Sequence, residues 1–98
     1  MEIVKNLSGT KLDVKVIGRL DTTTAPQLET EIDALLSGLT AIELDFQDLE
    51  YISSAGLRLL LKLQKSMNKQ GYMKILHVNP EVQEVFEITG FSEILSIE

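Results

Sequence analysis

The chain has 98 residues, a hydrophobic content of 44%, no cysteine and a formal net charge of −6. A chain of this length supports one hydrophobic core, so we expect a single domain over residues 1–98. The composition excludes disulfides and thiolate metal sites, and its acidic balance argues against nucleic acid and anionic membranes as partners.

The first half of the chain predicts a hairpin, then a helix, then a third strand. Residues 3–7 and 11–16 have strand character, and the second of these runs alternates strictly between apolar and charged side chains. A helix follows, with a capping box that starts at Thr24 and a terminating glycine at Gly38. Residues 41–46 alternate again, which indicates a sheet covered on one face only.

The second half repeats the alternation of helix and strand. Residues 55–70 form the longest predicted helix, residues 72–78 a strand and residues 79–90 a further helix, while residues 91–97 fit either a short helix or an edge strand. The order β-β-α-β-α-β-α predicts a mixed α/β fold. We expect a four- to five-stranded mixed sheet, parallel in its later strands, with helices packed on one face.

Two adjacent serines, Ser53 and Ser54, lie where a strand-like segment meets the longest helix. One interpretation is structural, because serine is a preferred N-cap that accepts a hydrogen bond from an unpaired backbone N–H. The other interpretation is functional, an exposed hydroxyl at a helix N-terminus that an enzyme could modify. Local sequence alone is compatible with both.

Four basic residues follow the serines at helical spacing, on one face of the predicted helix: Arg58, Lys62, Lys65 and Lys69. Such a stripe is typical of a solvated helix face, and its later lysines also suit the negative helix end. The alternative is an electrostatic docking strip for a partner, which begins beside the serines.

Templates for catalysis are missing. The single histidine, His77, falls in a predicted strand and is more typical of a structural residue than of a ligand or base. The serines lack the Gly-x-Ser-x-Gly context, no glycine loop leads to Gly-Lys-Ser/Thr, and no carboxylate pair can be assigned to a cleft. We therefore expect a non-enzymatic protein without cofactor or metal. It also lacks a signal peptide and any membrane-spanning run, which predicts a cytoplasmic location.

Three segments together resemble the STAS domain family, specifically the stand-alone anti-sigma-factor antagonists of bacteria. Residues 18–21, Gly-Arg-Leu-Asp, resemble the Gly-x-Leu-Asp that follows the second strand in that family. Residues 42–46 resemble its central strand, and residues 52–57, Ile-Ser-Ser-Ala-Gly-Leu, resemble its Asp-Ser-Ser/Thr-Gly-Leu switch motif. The resemblance covers essentially the whole chain.

The resemblance implies a phosphorylation-controlled partner switch. Members of the family bind an anti-sigma factor that is also a serine kinase. Phosphorylation of the motif serine ends the interaction, and a serine phosphatase restores it. This implies that Ser54 is the phosphorylated residue, with Ser53 as second choice, and that Asp21 helps to shape the acceptor site. The partner-binding residues expected on this basis are Asp21, Thr22, Ser53, Ser54, Gly56, Arg58, Lys62 and Lys65.

Two positions depart from the family motif. Ser53 replaces the aspartate before the acceptor, and Ala55 replaces the hydroxyl residue after it. These changes admit an alternative, a STAS scaffold subunit of a transporter ATPase complex that docks through the same helix without phosphorylation.

Overall fold

The computed structural model describes residues 1–98 and contains six β-strands and three α-helices. Two short 3₁₀ turns, Leu36–Gly38 and Phe91–Glu93, follow the first and third helices. In chain order the elements are β1 Glu2–Ser8, β2 Lys11–Leu20, α1 Ala25–Asp33, β3 Ala41–Asp45, β4 Leu49–Ile52, α2 Ser54–Asn68, β5 Tyr72–Leu76, α3 Pro80–Thr89 and β6 Ser96–Ile97.

The strands form one mixed sheet in the order β1-β2-β3-β5-β6, and β4 pairs with the end of β2. Only β1 is antiparallel to its neighbour, while the pairs β2–β3, β2–β4, β3–β5 and β5–β6 are parallel. The prediction of a mixed α/β fold with an opening hairpin and parallel later strands is confirmed. Parallel pairing aligns the carboxyl ends of β2, β3, β4 and β5 at one edge of the sheet.

The expected strand number of four to five was too low, because the sheet has six. Strand β4 is only four residues long, and its two central residues, Glu50 and Tyr51, are exposed, so it offers no apolar alternation. For the C-terminal tail, the sequence was compatible with a short helix or an edge strand. The structure contains one of each, a 3₁₀ turn followed by the two-residue strand β6.

A bulge at Gly18 divides β2 between two partners. Residues 11–15 of β2 pair with β3, whereas residues 18–20 pair with β4, and the register shifts between Gly18 and Arg19. The φ angle of Gly18 is 103°, a conformation that side chains other than hydrogen disfavour. This glycine therefore permits the bend that carries the end of β2 to β4.

All three helices pack on one face of the sheet, as predicted. That face presents apolar residues from three neighbouring strands, and they join the helices in a single core. Its fully buried members include Val14 of β2, Leu44 of β3 and Ile75 of β5. The opposite face carries charged side chains held in ion pairs, for example Lys11 with Glu43 at 3.3 Å.

Two predicted details of α1 are wrong. The helix ends at Asp33, before Gly38, because the chain tightens into the 3₁₀ turn that follows. Its N-cap Thr24 makes no side-chain capping bond, so no capping box forms. None of the helices combines the length and apolar character that crossing a membrane requires.

Candidate functional site

Ser53 and Ser54, which we call the serine junction, lie at the carboxyl edge of the sheet, where β2 and β4 end side by side. The backbone N–H of Ser53 donates to the carbonyl of Leu20 at 2.9 Å, which joins the start of α2 to the end of β2. The residue after Leu20 is Asp21, so the loop that begins there lies next to the serines. Ligands of open α/β sheets commonly bind at this edge.

The two serines differ in environment. Ser53 occupies the N-cap position, but its hydroxyl makes no capping bond and is buried without a hydrogen-bond partner in the protein. Ser54 is the first residue of α2 and is exposed. The N-cap interpretation is therefore not supported for either hydroxyl, and Ser54 is the serine that an enzyme could reach.

Gly56 allows the first turn of α2 to approach the strand ends closely. A Cβ atom at this position would lie 2.7 Å from Cγ1 of Ile52 and 3.0 Å from the carbonyl oxygen of Leu20. Both distances are shorter than ordinary van der Waals contact. The glycine of the motif therefore has a packing role, since it sets how Ser54 sits against the sheet.

The loop after β2 is organised by Asp21. Its Oδ1 accepts hydrogen bonds from the hydroxyl and backbone N–H of Thr23, at 2.8 and 3.0 Å, and from the N–H of Thr24 at 3.2 Å. These bonds, above all the one from the Thr23 hydroxyl, lower the pKa of Asp21 below its ordinary value. The Thr24 hydroxyl accepts from the N–H of Asp21 at 2.8 Å and donates to the carbonyl of Arg19 at 2.7 Å, in place of capping α1.

The predicted basic stripe is not uniform. Lys62 forms ion pairs with Glu29 and, at 3.5 Å, with Asp33, both on α1. These acidic partners raise the pKa of Lys62, with the Glu29 hydrogen bond as the main cause. The other three basic residues of the stripe make no ion pair within the protein. Lys62 therefore links two helices, and the unpaired charge lies at Arg58, Lys65 and Lys69.

Two shallow grooves flank this stripe. One, of about 260 Å³, lies between α1 and α2 and is lined by Thr22, Glu29, Ala55, Arg58 and Lys62, among others. The second, of about 430 Å³, follows the outer face of α2 along Arg58, Lys65 and Lys69. The structure thus brings the Asp21 loop, Thr22, both serines, Gly56 and Arg58 together at one edge. Lys62 and Lys65 extend from that edge along the helix.

One neighbouring pair of side chains was not predicted from the sequence. Arg19 of β2 and Tyr51 of β4 are paired in register, and the Arg19 guanidinium lies 4.2 Å from the centroid of the Tyr51 ring. Arg19 Nε also approaches Asp21 Oδ2 at 3.7 Å. Tyr51 is 42% exposed and lies next to the serine junction. Finding this pair from the sequence would have required recognising β4 as a strand.

The lone histidine does not belong to this site. His77 lies just beyond β5 with a φ angle of 59°, and its Nδ1 is 3.1 Å from Asp45 Oδ1 on the charged sheet face. The prediction that it falls within a strand is therefore wrong. No group of three or more His, Cys, Asp or Glu side chains is arranged to hold a metal ion.

Comparison with known proteins identifies a family model and relatives that cover most of the chain. The family model for the STAS domain matches residues 2–98. BtrV of Bordetella bronchiseptica, a candidate anti-sigma factor antagonist, is 40% identical over 82 residues, which cover 82% of this chain and 71% of that protein. The anti-sigma-B factor antagonist of Staphylococcus aureus is 31% identical over 87 residues, which cover 87% of this chain and 81% of that protein.

Solved structures share the fold. The anti-sigma factor antagonist SpoIIAA in its unphosphorylated form superposes with a TM-score of 0.79 at 19% identity, over 99% of this chain and 87% of that one. The phosphorylated form of SpoIIAA from Bacillus gives a TM-score of 0.78 at 19% identity, over 99% of this chain and 91% of that one. At this identity the likeness concerns the fold alone.

Proposed function

The chain belongs to the STAS domain family, and from this premise we propose that it is an anti-sigma factor antagonist controlled by phosphorylation of Ser54. In its unphosphorylated form it binds a cytoplasmic anti-sigma factor that has serine kinase activity. That kinase phosphorylates Ser54 and is released, and a serine phosphatase restores binding.

The observation that carries this proposal is the contrast between the two serines. Ser54 is an exposed residue on the first turn of α2, whereas the Ser53 hydroxyl is buried. A kinase must bring an acceptor hydroxyl in line with the γ-phosphate of ATP, which an enclosed hydroxyl does not allow. The anchored Asp21 loop and the unpaired Arg58 lie beside Ser54 and supply polar contacts for a partner.

Phosphorylation should switch binding and leave the fold intact. A phosphoserine carries about −1.5 to −2 charges, and at a helix N-terminus negative charge is favourable by about 0.3–1 kcal/mol. At an interface the same group costs desolvation and like-charge repulsion. Because about 1.4 kcal/mol weakens binding tenfold, a modest interface penalty is sufficient to release the partner.

Incubation with ATP and the anti-sigma factor kinase from the same genome, followed by mass spectrometry, tests the modification. We expect phosphate on Ser54. Phosphate found only at residues other than Ser54, Ser53 included, would contradict the proposal.

Two variants test the interface mechanism. Ser54→Ala should bind the anti-sigma factor like the unmodified protein, whereas Ser54→Asp should keep its circular dichroism spectrum and bind at least about tenfold more weakly. Calorimetric titration measures the affinities. Loss of the folded spectrum in Ser54→Asp would mean that negative charge acts through stability and not through the interface.

A second candidate function is a scaffold subunit of a transporter ATPase complex. The observation that favours it is Ser53, which replaces the family aspartate and leaves no carboxylate directly before Ser54. In that role α2 would dock on its partner constitutively. Co-purification with a transporter ATPase, together with the absence of any Ser54 phosphopeptide from cells, would favour this second function over the first.

A further inference from the structure

Arg58 lies one helical turn after Ser54 on the same face of α2. Residues four apart on a helix are neighbours, and helical side chains lean toward the N-terminus, so the Arg58 side chain is directed back over the first turn. Arg58 is exposed, and no carboxylate of the protein pairs with it. It contributes to the groove between α1 and α2 that Ala55 and Thr22 also line.

The other basic residues near the serine junction are already engaged or too distant. Lys62 is held by Glu29 and Asp33. Arg19 is held by Asp21 and stacks on the Tyr51 ring. Lys65 lies eleven residues after Ser54, which is roughly 16 Å further along the helix axis. Arg58 is therefore the cation that is both close to Ser54 and unpaired.

The surroundings of Ser54 contain no competing carboxylate on the helix itself. The first turn of α2 has no acidic residue, and the backbone N–H groups of Ser54, Ala55 and Gly56 have no acceptor within the protein. A phosphate on Ser54 would add negative charge to a turn that already presents these donors. A guanidinium fork matches two phosphate oxygens, which favours arginine at this position.

We propose that Arg58 pairs with the phosphate of phosphorylated Ser54 and is thereby withdrawn from the partner-binding surface. This inference rests on the proposed phosphorylation of Ser54. One modification then has two effects, because it adds negative charge to the interface and also neutralises a cation that the unmodified protein offers to its partner.

The test uses full-length protein with phosphoserine encoded directly at position 54, so that no kinase is involved. The second ionisation of the phosphate is followed by ³¹P NMR as a function of pH. In the parent protein we expect its pKa to be about half a unit lower than in Arg58→Gln, the shift of an exposed ion pair. Lys65→Gln, which removes a charge from the same stripe further along α2, should titrate like the parent.

A second readout follows the arginine itself. The Nε–H resonance of Arg58 should shift along the same titration curve as the phosphate, and concentrated salt should weaken that coupling. Identical ³¹P titrations of the parent and Arg58→Gln, with an unresponsive Arg58 resonance, would overturn the pairing even if the kinase modifies Ser54 normally. Failure of the kinase to modify Ser54 would instead overturn the proposed function and leave this titration interpretable.

Discussion

At the scale of single residues, Gly56 decides how closely α2 meets the sheet. Its position against Ile52 and Leu20 leaves no room for a side chain. The first turn of the helix, which carries Ser54, is placed by this contact. The presence of glycine at position 56 is therefore explained by packing, independently of any role in phosphorylation.

Replacing Gly56 by alanine should destabilise the protein. The added methyl group meets the carbonyl oxygen of Leu20, which cannot rotate away, and overpacking of this kind typically costs about 1–3 kcal/mol. The better helix propensity of alanine offsets about 1 kcal/mol, so we expect a net loss near 1 kcal/mol and a fall in Tm of about 5 °C. Thermal unfolding followed by circular dichroism measures the change.

Gly38→Ala is the matched control. A Cβ atom at Gly38 meets nothing within 4 Å, and its backbone is not in the left-handed region. We expect an unchanged or slightly higher Tm, because alanine restricts the unfolded chain. A Gly56→Ala protein that melts at or above the parent temperature would show that the close contact is not restrictive.

At the scale of elements, the connection from β2 to α1 depends on the ionised carboxylate of Asp21. Thr23 and Thr24 donate to it, and these bonds lower its folded pKa below the ordinary value of 3.8. A carboxylate with a lowered folded pKa stabilises the folded state above its unfolded pKa. That contribution is lost as the pH falls through the folded value.

Asp21→Asn should therefore have a pH-dependent effect on stability. The variant keeps an oxygen acceptor but removes the charge, so we expect a lower Tm than the parent at pH 7. The difference should shrink as the pH falls from the ordinary carboxyl pKa of 3.8 toward the lower folded pKa of Asp21, because the unfolded chain is protonated first. Thermal unfolding from pH 2.5 to 7 provides the measurement.

Thr23→Val serves as the companion variant, because it removes the hydroxyl donor and retains the backbone N–H. It should show a smaller deficit at pH 7 with the same direction of pH dependence. A deficit of Asp21→Asn that stays constant across the range would mean that the carboxylate charge does not support the loop.

At the scale of the whole molecule, the candidate functional site lies at only one end of the sheet. Arg19 and Tyr51 lie at the carboxyl end, beside the serine junction. Tyr72 of β5 lies at the opposite end, where it is in register with Ala41 of β3, which is in turn in register with Lys11 of β2. Along β2, Lys11 and Arg19 are separated by roughly 26 Å of extended strand. The protein therefore presents similar aromatic chemistry at both ends.

The two tyrosines allow a matched test of which end binds the partner. Their exposed fractions are 42% for Tyr51 and 41% for Tyr72, and each ring contacts a cation, Arg19 or Lys74. Exposed tyrosine and arginine side chains are frequent interface hot spots. We expect Tyr51→Ala to weaken binding of the anti-sigma factor at least about tenfold and Tyr72→Ala to leave it within about twofold.

Calorimetric titration of both variants against the same anti-sigma factor measures this difference. Circular dichroism should show that both remain folded, because both side chains lie at the surface. Equal losses of affinity, or a larger loss for Tyr72→Ala, would place the binding surface away from the serine junction.

Much of the fold was predictable because its signals are local. Apolar residues alternate with polar ones in β2 and β3 and recur at helical spacing after the serines. These patterns indicate which face of each element is buried. The helix predicted over residues 79–90 begins with Asn79, which caps α3, because its Oδ1 accepts from the N–H of Val82 at 2.9 Å. The short strand β4 was missed because four residues with two exposed positions carry no period.

Local sequence patterns were sufficient to predict the mixed α/β class, the order of the elements other than β4 and the C-terminal tail, and the position of the serine junction before the longest helix. Packing of the elements sets which serine is exposed, which cations of the basic stripe are unpaired and which aromatic residue lies beside them. Each of these outcomes depends on residues distant in the chain, such as Lys62 and Glu29, which are 33 positions apart. Periodicity describes one element at a time, whereas burial and charge pairing are set when the elements pack.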